Sequence, residues 1–154
     1  MEALHFEYDA PFTLESGATL PRLTIAYHTY GQLSPSRDNV IWVCHALTAN
    51  SEVADWWPHT VEQGRFLDPS RHFIVCANIL GSHYGTTGPL HTNPATGRPY
   101  YGTFPDFTIR DMVRAHRLLA DALGIEREGH DFLWVVDFPL FHWDDEAKRY
   151  EAEH

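Results

Sequence analysis

Val40-Ile41-Trp42-Val43-Cys44-His45-Ala46-Leu47-Thr48-Ala49 is the stretch on which the fold turns. Its first five residues are an unbroken apolar run bounded by Asn39 and His45. Such a run predicts a strand covered on both faces, as in a parallel sheet. Behind it, His45 to Ala49 turns through small residues, which would leave a backbone N–H free to face a cleft at the strand's carboxyl end. Open α/β sheets keep their sites there. The same segment fits an ordinary strand-to-helix loop equally well.

A second run of this kind is His72-Phe73-Ile74-Val75-Cys76-Ala77-Asn78-Ile79-Leu80, followed by Gly81. Two covered strands separated by a long connection predict α/β wiring. Upstream, Phe6 to Tyr8, Phe12 to Leu14 and Leu23 to Tyr30 are β-rich, alternate with turn signals and predict antiparallel strands. Between Gly81 and Pro105 the glycines and prolines are too dense for a helix or a central strand. Loops of that length in compact domains are usually functional. The period then changes: Ile109, Met112, Val113, Leu118, Leu119 and Leu123 predict one helical stripe, with Thr108 and Asp111 at capping-box spacing and Gly124-Ile125 as the C-cap. Phe132 to Val136 is a further covered-strand candidate. The charged tail from Asp144 is expected to fray.

With 154 residues, 44% of them hydrophobic, the chain is long enough for one globular domain with its own core. Its 21 acidic residues against 11 Lys plus Arg give a net charge of -10 and no basic cluster, which argues against nucleic-acid binding. No apolar run reaches the roughly 20 residues of a membrane span, and Met1 to His5 lacks the regions of a signal peptide, so the expected address is the cytoplasm. Cys44 and Cys76 both lie in apolar runs and are expected to behave as small hydrophobes rather than as a disulfide framework.

The chemistry-bearing residues are thin. Gly-x-Ser-x-Gly, the strained elbow that presents a nucleophilic serine, is absent at Ser16, Ser34, Ser36, Ser51, Ser70 and Ser82. Gly81-Ser82-His83-Tyr84-Gly85 comes nearest, but Leu80 and Tyr84 stand where the tight turn needs small residues, and Ser82 is expected to be a polar loop residue. Cys44 and His45, adjacent in a strand, point to opposite faces and cannot form a thiol–imidazole pair. None of the eleven histidines stands at metal-ligand spacing, so no metal is expected.

Several segments together resemble one family. Leu23 to Gly31, Asp38 to Thr48, Asp55-Trp56-Trp57, Phe73 to Gly81, Tyr84-Gly85-Thr86-Thr87-Gly88-Pro89, Asn93-Pro94-Ala95-Thr96-Gly97 and Phe104 to Arg114 are collinearly similar, from about Phe12 to Ile125, to homoserine O-acetyltransferase. The resemblance implies an α/β-hydrolase fold, here incomplete, with a mixed, mostly parallel sheet and flanking helices. It implies an acyltransferase of methionine biosynthesis that moves acetyl from acetyl-CoA to the homoserine hydroxyl through an acyl-serine. No cofactor is implied beyond acetyl-CoA as co-substrate. By the same resemblance the backbone of Leu47 supplies one oxyanion-hole N–H, with Ala49 departing from the family's usual glycine, and the loop Gly81 to Gly102, with Gly81, Tyr84 and Gly85, lines the active-site entrance.

The family's elbow serine and its Asp and His partners lie beyond the helix ending at Leu123, and nothing in these residues replaces them. Phe132-Leu133-Trp134-Val135-Val136-Asp137-Phe138-Pro139-Leu140-Phe141, with Arg149 to His154, instead resembles a segment of bacterial aspartyl-tRNA synthetase. The expected organisation is therefore residues 1–125 as the N-terminal part of an α/β-hydrolase domain and residues 126–154 as a foreign or grafted strand and charged tail. The expected function is a homoserine O-acetyltransferase-like chain without its nucleophile and inactive alone. The alternatives are a non-catalytic fragment or chimera that self-associates through an exposed sheet edge, and a fragment derived from an aspartate-tRNA ligase.

Overall fold

The structure is a computed structural model that describes residues 1–125, 141–144 and 148–152. The β-rich first third forms β1 (Leu4–Tyr8), β2 (Phe12–Thr13), β3 (Thr19–Leu20) and β4 (Leu23–Tyr30), and the two apolar runs form β5 (Val40–Val43) and β6 (Phe73–Ala77). Four of these strands make a mixed sheet in the order β1-β4-β6-β5. β1 and β6 flank β4 antiparallel, while β5 lies parallel to β6 with Val43 opposite Cys76. β2 and β3 pair as a separate antiparallel ribbon.

The sheet is covered on both faces. On one, Leu23, Ile25 and Ala77 pack with Phe12, Leu14, Leu20 and Leu80 beneath Ala115 and Leu119 of α2 (Ile109–Ala122). On the other, Ile74 and Cys76 pack with Val53 of the short α1 (Val53–Trp56) and with Leu67, both in the β5-to-β6 connection. Each fully buried Leu or Ile of this kind contributes roughly 1.5–3 kcal/mol.

The caps of α2 form as the sequence predicts. The Asp111 N–H donates to Thr108 Oγ1 at 3.3 Å, and the Thr108 N–H donates to Asp111 Oδ2 at 3.1 Å. At the other end Gly124 adopts φ +70°, and the Ile125 N–H reaches back to the Ala120 carbonyl at 2.9 Å. The predicted stripe needs correction. The helix turns Asp111, Ala115 and Leu119 inward, while Ile109 and Val113 are 77% and 63% exposed. At about 100° per residue, Ile109 and Leu118 stand on opposite sides of a helix and cannot share one face.

Two further expectations are corrected. β5 is half-buried along its length, because among the described residues it is the edge of the sheet and β6, fully covered from Ile74 to Ala77, is not. Cys44, one residue past β5, is exposed, whereas Cys76 is buried. The tail beyond Asp144 is also paired where it is described: β9 (Phe141–Asp144) and β10 (Arg149–Ala152) form an antiparallel ribbon, with Lys148 at φ 51° in its turn. The strand predicted at Phe132 to Val136 lies outside the described residues. In the long loop, β7 (Thr92–Asn93) and β8 (Arg98–Pro99) form a two-residue ribbon, followed by a 3₁₀ turn at Tyr101–Thr103. No helix among the described residues is long and apolar enough to cross a membrane.

Candidate active site

β5 and β6 run parallel as neighbours, so their carboxyl ends open at the same end of the sheet, and the loops His45–Ala49 and Asn78–Gly88 leave from there. The first loop is a turn closed by the Ala49 N–H donating to the Ala46 carbonyl at 3.0 Å. His45 Nδ1 lies 2.7 Å from the same carbonyl, which can only accept. The ring therefore donates from Nδ1, and Nε2 is buried and without a hydrogen-bond partner among the described residues. Leu47 sits at the crest of this turn, 84% exposed, and its N–H makes no hydrogen bond to another described residue. An unspent donor at the carboxyl end of a parallel strand can face the oxyanion of an acyl-transfer intermediate.

The second loop hangs on Asn78, which is 1% exposed. Its Nδ2 donates to Ser51 Oγ at 3.0 Å and to the Tyr84 carbonyl at 2.8 Å. Its backbone carbonyl accepts from Thr86 Oγ1 at 3.0 Å and from His116 Nε2 of α2 at 3.3 Å. The side-chain amide thus joins the Asn78–Gly88 loop to the end of β6 and to the loop before α1. Burial pulls the His116 pKa down, opposed by its bond to Asn78 and reinforced by nearby His45, so that ring is neutral at pH 7.

Gly81 and Gly85 are fixed by close backbone packing. At Gly81, φ is +87° and a Cβ would stand 2.5 Å from the Phe107 ring; at Gly85, φ is +91° and a Cβ would meet that of Ala26 at 3.0 Å. Tyr84 is 38% exposed and lies against the His83 ring, with centroids 4.0 Å apart. Among the described residues no hydrogen bond or ring contact joins Leu47 to Gly81, Tyr84 or Gly85; what they share is the end of the sheet. Ser82 Oγ accepts the Tyr84 N–H at 3.1 Å, a local turn contact.

The sequence did not announce a serine–histidine pair, because its members are far apart in the chain. His28 Nε2 lies 3.1 Å from the Met1 carbonyl, so Nε2 bears the proton and Nδ1 accepts from the Ser51 hydroxyl at 2.9 Å. An imidazole that accepts a serine proton is the arrangement that activates a nucleophile. Ser51 and His28, however, are 1% and 5% exposed, so no acyl donor reaches that hydroxyl, and the pair is a buried tie. Asn78 had a visible signal, a polar residue at the carboxyl end of an apolar run. Among the described residues no three His, Cys, Asp or Glu side chains are gathered as a metal site.

No protein-family model matches the chain. Over 123 residues, 80% of its length, it is 53% identical to homoserine O-acetyltransferase of Chlorobium luteolum and covers 34% of that protein. Among solved structures, esterase E22 superposes with a TM-score of 0.73 at 29% identity over 80% of the chain and 38% of the esterase. Homoserine O-acetyltransferase from Bacillus anthracis superposes with a TM-score of 0.71 at 30% identity over 82% of the chain and 38% of that enzyme. The chain thus has part of the α/β-hydrolase fold of these proteins and spans about a third of the length of the curated relatives it matches.

Proposed function

Because four fifths of the chain is about half identical to homoserine O-acetyltransferases, we propose that residues 1–125 are the N-terminal part of such an enzyme. In this reading they supply one oxyanion-hole donor, the Leu47 N–H, for transfer of acetyl from acetyl-CoA to the homoserine hydroxyl in methionine biosynthesis. The single observation that carries the reading is this similarity, and the unspent Leu47 N–H beside the carboxyl ends of two parallel strands gives it a chemical use. As an alkoxide adds to the thioester carbonyl, negative charge develops on the carbonyl oxygen. A preorganised N–H stabilises that charge, and one such donor is worth about 2.7–4 kcal/mol of barrier. The loop carrying Gly81, Tyr84 and Gly85 forms the entrance, held in place by Asn78. We place the protein in the cytoplasm, where such biosynthesis occurs.

These 154 residues contain no Gly-x-Ser-x-Gly, so the polypeptide of this sequence does not turn over acetyl-CoA and homoserine by itself. Residues 126–154 are, in this reading, a grafted segment, supported by the likeness of Phe138-Pro139-Leu140-Phe141 and its flanks to aspartyl-tRNA synthetase, and the outer edge of β5, which has no strand partner among the described residues, favours self-association. The test is a hybrid in which residues 1–125 replace the matching part of the Chlorobium luteolum enzyme. We expect acetyl transfer, a loss of about 10²–10³ in kcat for Leu47→Pro, which removes the N–H, and near-normal kcat for Leu47→Ala, which keeps it. An inactive but folded hybrid, or Leu47→Pro at full rate, contradicts the assignment.

A further inference from the structure

A groove of about 360 Å³ runs between the end of β1, β2 and the outer side of α2, beside the edge strand at the far end of the sheet from β5. It is lined by the apolar side chains of Tyr8, Pro11, Phe12 and Leu118, by Thr13, and by Arg114 and Arg117. Among the described residues no carboxylate lines it, although the chain as a whole carries a net charge of -10.

Both guanidinium groups are held in place, and neither is spent. Arg114 stacks over the buried Phe12 ring, with Cζ 5.1 Å from its centroid, and gives one N–H to Asp111 Oδ1 at 3.0 Å. Arg117 gives its Nε–H to Asp121 Oδ1 at 2.8 Å. A guanidinium has five N–H donors, so among the described residues most of each fork has no further hydrogen-bond partner. Arg110, one turn earlier, is taken up by Glu15 at 3.4 Å and does not line the groove. Two tethered guanidinium groups beside Tyr8, Pro11 and Leu118 match a planar anion: N–H donors suit a carboxylate, and these side chains suit a flat apolar body. The volume lies at the lower end of the roughly 300–1,000 Å³ typical of ligand pockets, which limits the ligand to a small one.

We propose that this groove binds a small arylcarboxylate, whose carboxylate engages Arg114 and Arg117 and whose ring lies against Tyr8, Pro11 and Leu118. This goes beyond the acyl-transfer reading and does not depend on it.

The 154-residue chain is titrated with benzoate, with its neutral isostere benzamide and with inorganic phosphate, followed by NMR of the arginine Nε–H groups and of the Thr13 and Leu118 amides. Benzoate is expected to saturate shifts at these groups and to bind at least about tenfold more tightly than benzamide. Phosphate, which has no ring, is expected to give no saturable shift there. Arg117→Gln, at a side chain 65% exposed, should weaken benzoate at least about fivefold while leaving the thermal midpoint in place. Equal binding of benzamide, tighter binding of phosphate, an unchanged benzoate affinity in Arg117→Gln, or no shift at the groove would each overturn the proposal.

Discussion

Both oxygens of the Asp111 carboxylate accept the backbone N–H of Glu15, at 3.1 and 3.2 Å. The two residues are 96 positions apart, so this one side chain closes the α2 capping box and also fastens the turn between β2 and β3 to the helix. Asp111 is fully buried, and its removal strands two N–H donors. Asp111→Ala should therefore cost about 2–3 kcal/mol in urea unfolding, more than an ordinary exposed cap. Thr108→Ala, which loses only the exposed half of the box, should cost about 1 kcal/mol. Equal costs for the two would show that the Glu15 tie contributes nothing.

The same carboxylate shapes the acid limb of stability. Burial alone would raise its pKa, but the Thr108 and Glu15 N–H groups and the Arg114 guanidinium outweigh burial and hold it below the usual carboxylate value. A depressed folded pKa gives stability that is present above the unfolded value of about 3.9 and lost as pH falls through the folded one. Asp68, lowered by the Ser70 hydroxyl and the Gly64 N–H, acts in the same direction. Asp111→Asn should thus flatten, without abolishing, the fall in the urea midpoint between pH 5 and pH 2. An unchanged slope would remove Asp111 from the cause.

Much of the fold was legible because its signals are local. The apolar runs of β5 and β6, the turn-rich first third and both caps of α2 are properties of short windows, and each formed. What misled was context. The Val40–Cys44 run promised a doubly covered strand, but coverage depends on neighbours, and β5 stands at the edge of the described sheet. The turn from His45 to Ala49 was legible as small residues after a strand. The Asn78 hub and the His28–Ser51 tie were not, since they are made by residues that only the sheet brings together.

Gly81 and Gly17 share a positive φ, +87° and +85°, but differ in their surroundings. A Cβ at Gly17 meets nothing within 4 Å, whereas one at Gly81 stands 2.5 Å from the Phe107 ring. Gly17→Ala should therefore show the backbone cost alone, about 1 kcal/mol, and Gly81→Ala about 1–3 kcal/mol more, because the ring must move within the core. Thermal or urea unfolding of the two variants decides the point, and equal losses would mean that Phe107 yields freely.

The two cysteines should react at different rates. Cys44 is exposed, while burial, with a smaller push from nearby Cys44, raises the Cys76 pKa to about 12. The thiolate is the reacting form, so Cys76 is protected twice, by access and by protonation. Mass spectrometry after brief treatment with N-ethylmaleimide at pH 7 should show a single adduct on Cys44, and a second only in denaturant. A prompt double adduct in the folded protein would contradict the buried placement of Cys76.

Asn78 gives the sharpest test of how the loop from Gly81 to Gly88 is held. Its amide NH₂ faces two acceptors, Ser51 Oγ and the Tyr84 carbonyl. Asn78→Asp keeps the shape but replaces the donor with a carboxylate, which sets negative charge against the Tyr84 carbonyl in a site that is 1% exposed. Asn78→Ala only removes the donor, at a cost of about 1–3 kcal/mol for groups left unpaired. The isosteric aspartate should therefore be the more damaging change at pH 7, and its deficit should shrink as the pH falls and the carboxyl takes up a proton that can donate again. Hydrogen exchange of the amides from Gly81 to Gly88 should quicken in both variants, and more in Asn78→Asp. If alanine proves the worse of the two at neutral pH, packing at Asn78 matters more than its hydrogen bonds, and the loop is held by Gly81 and Gly85 rather than by the amide.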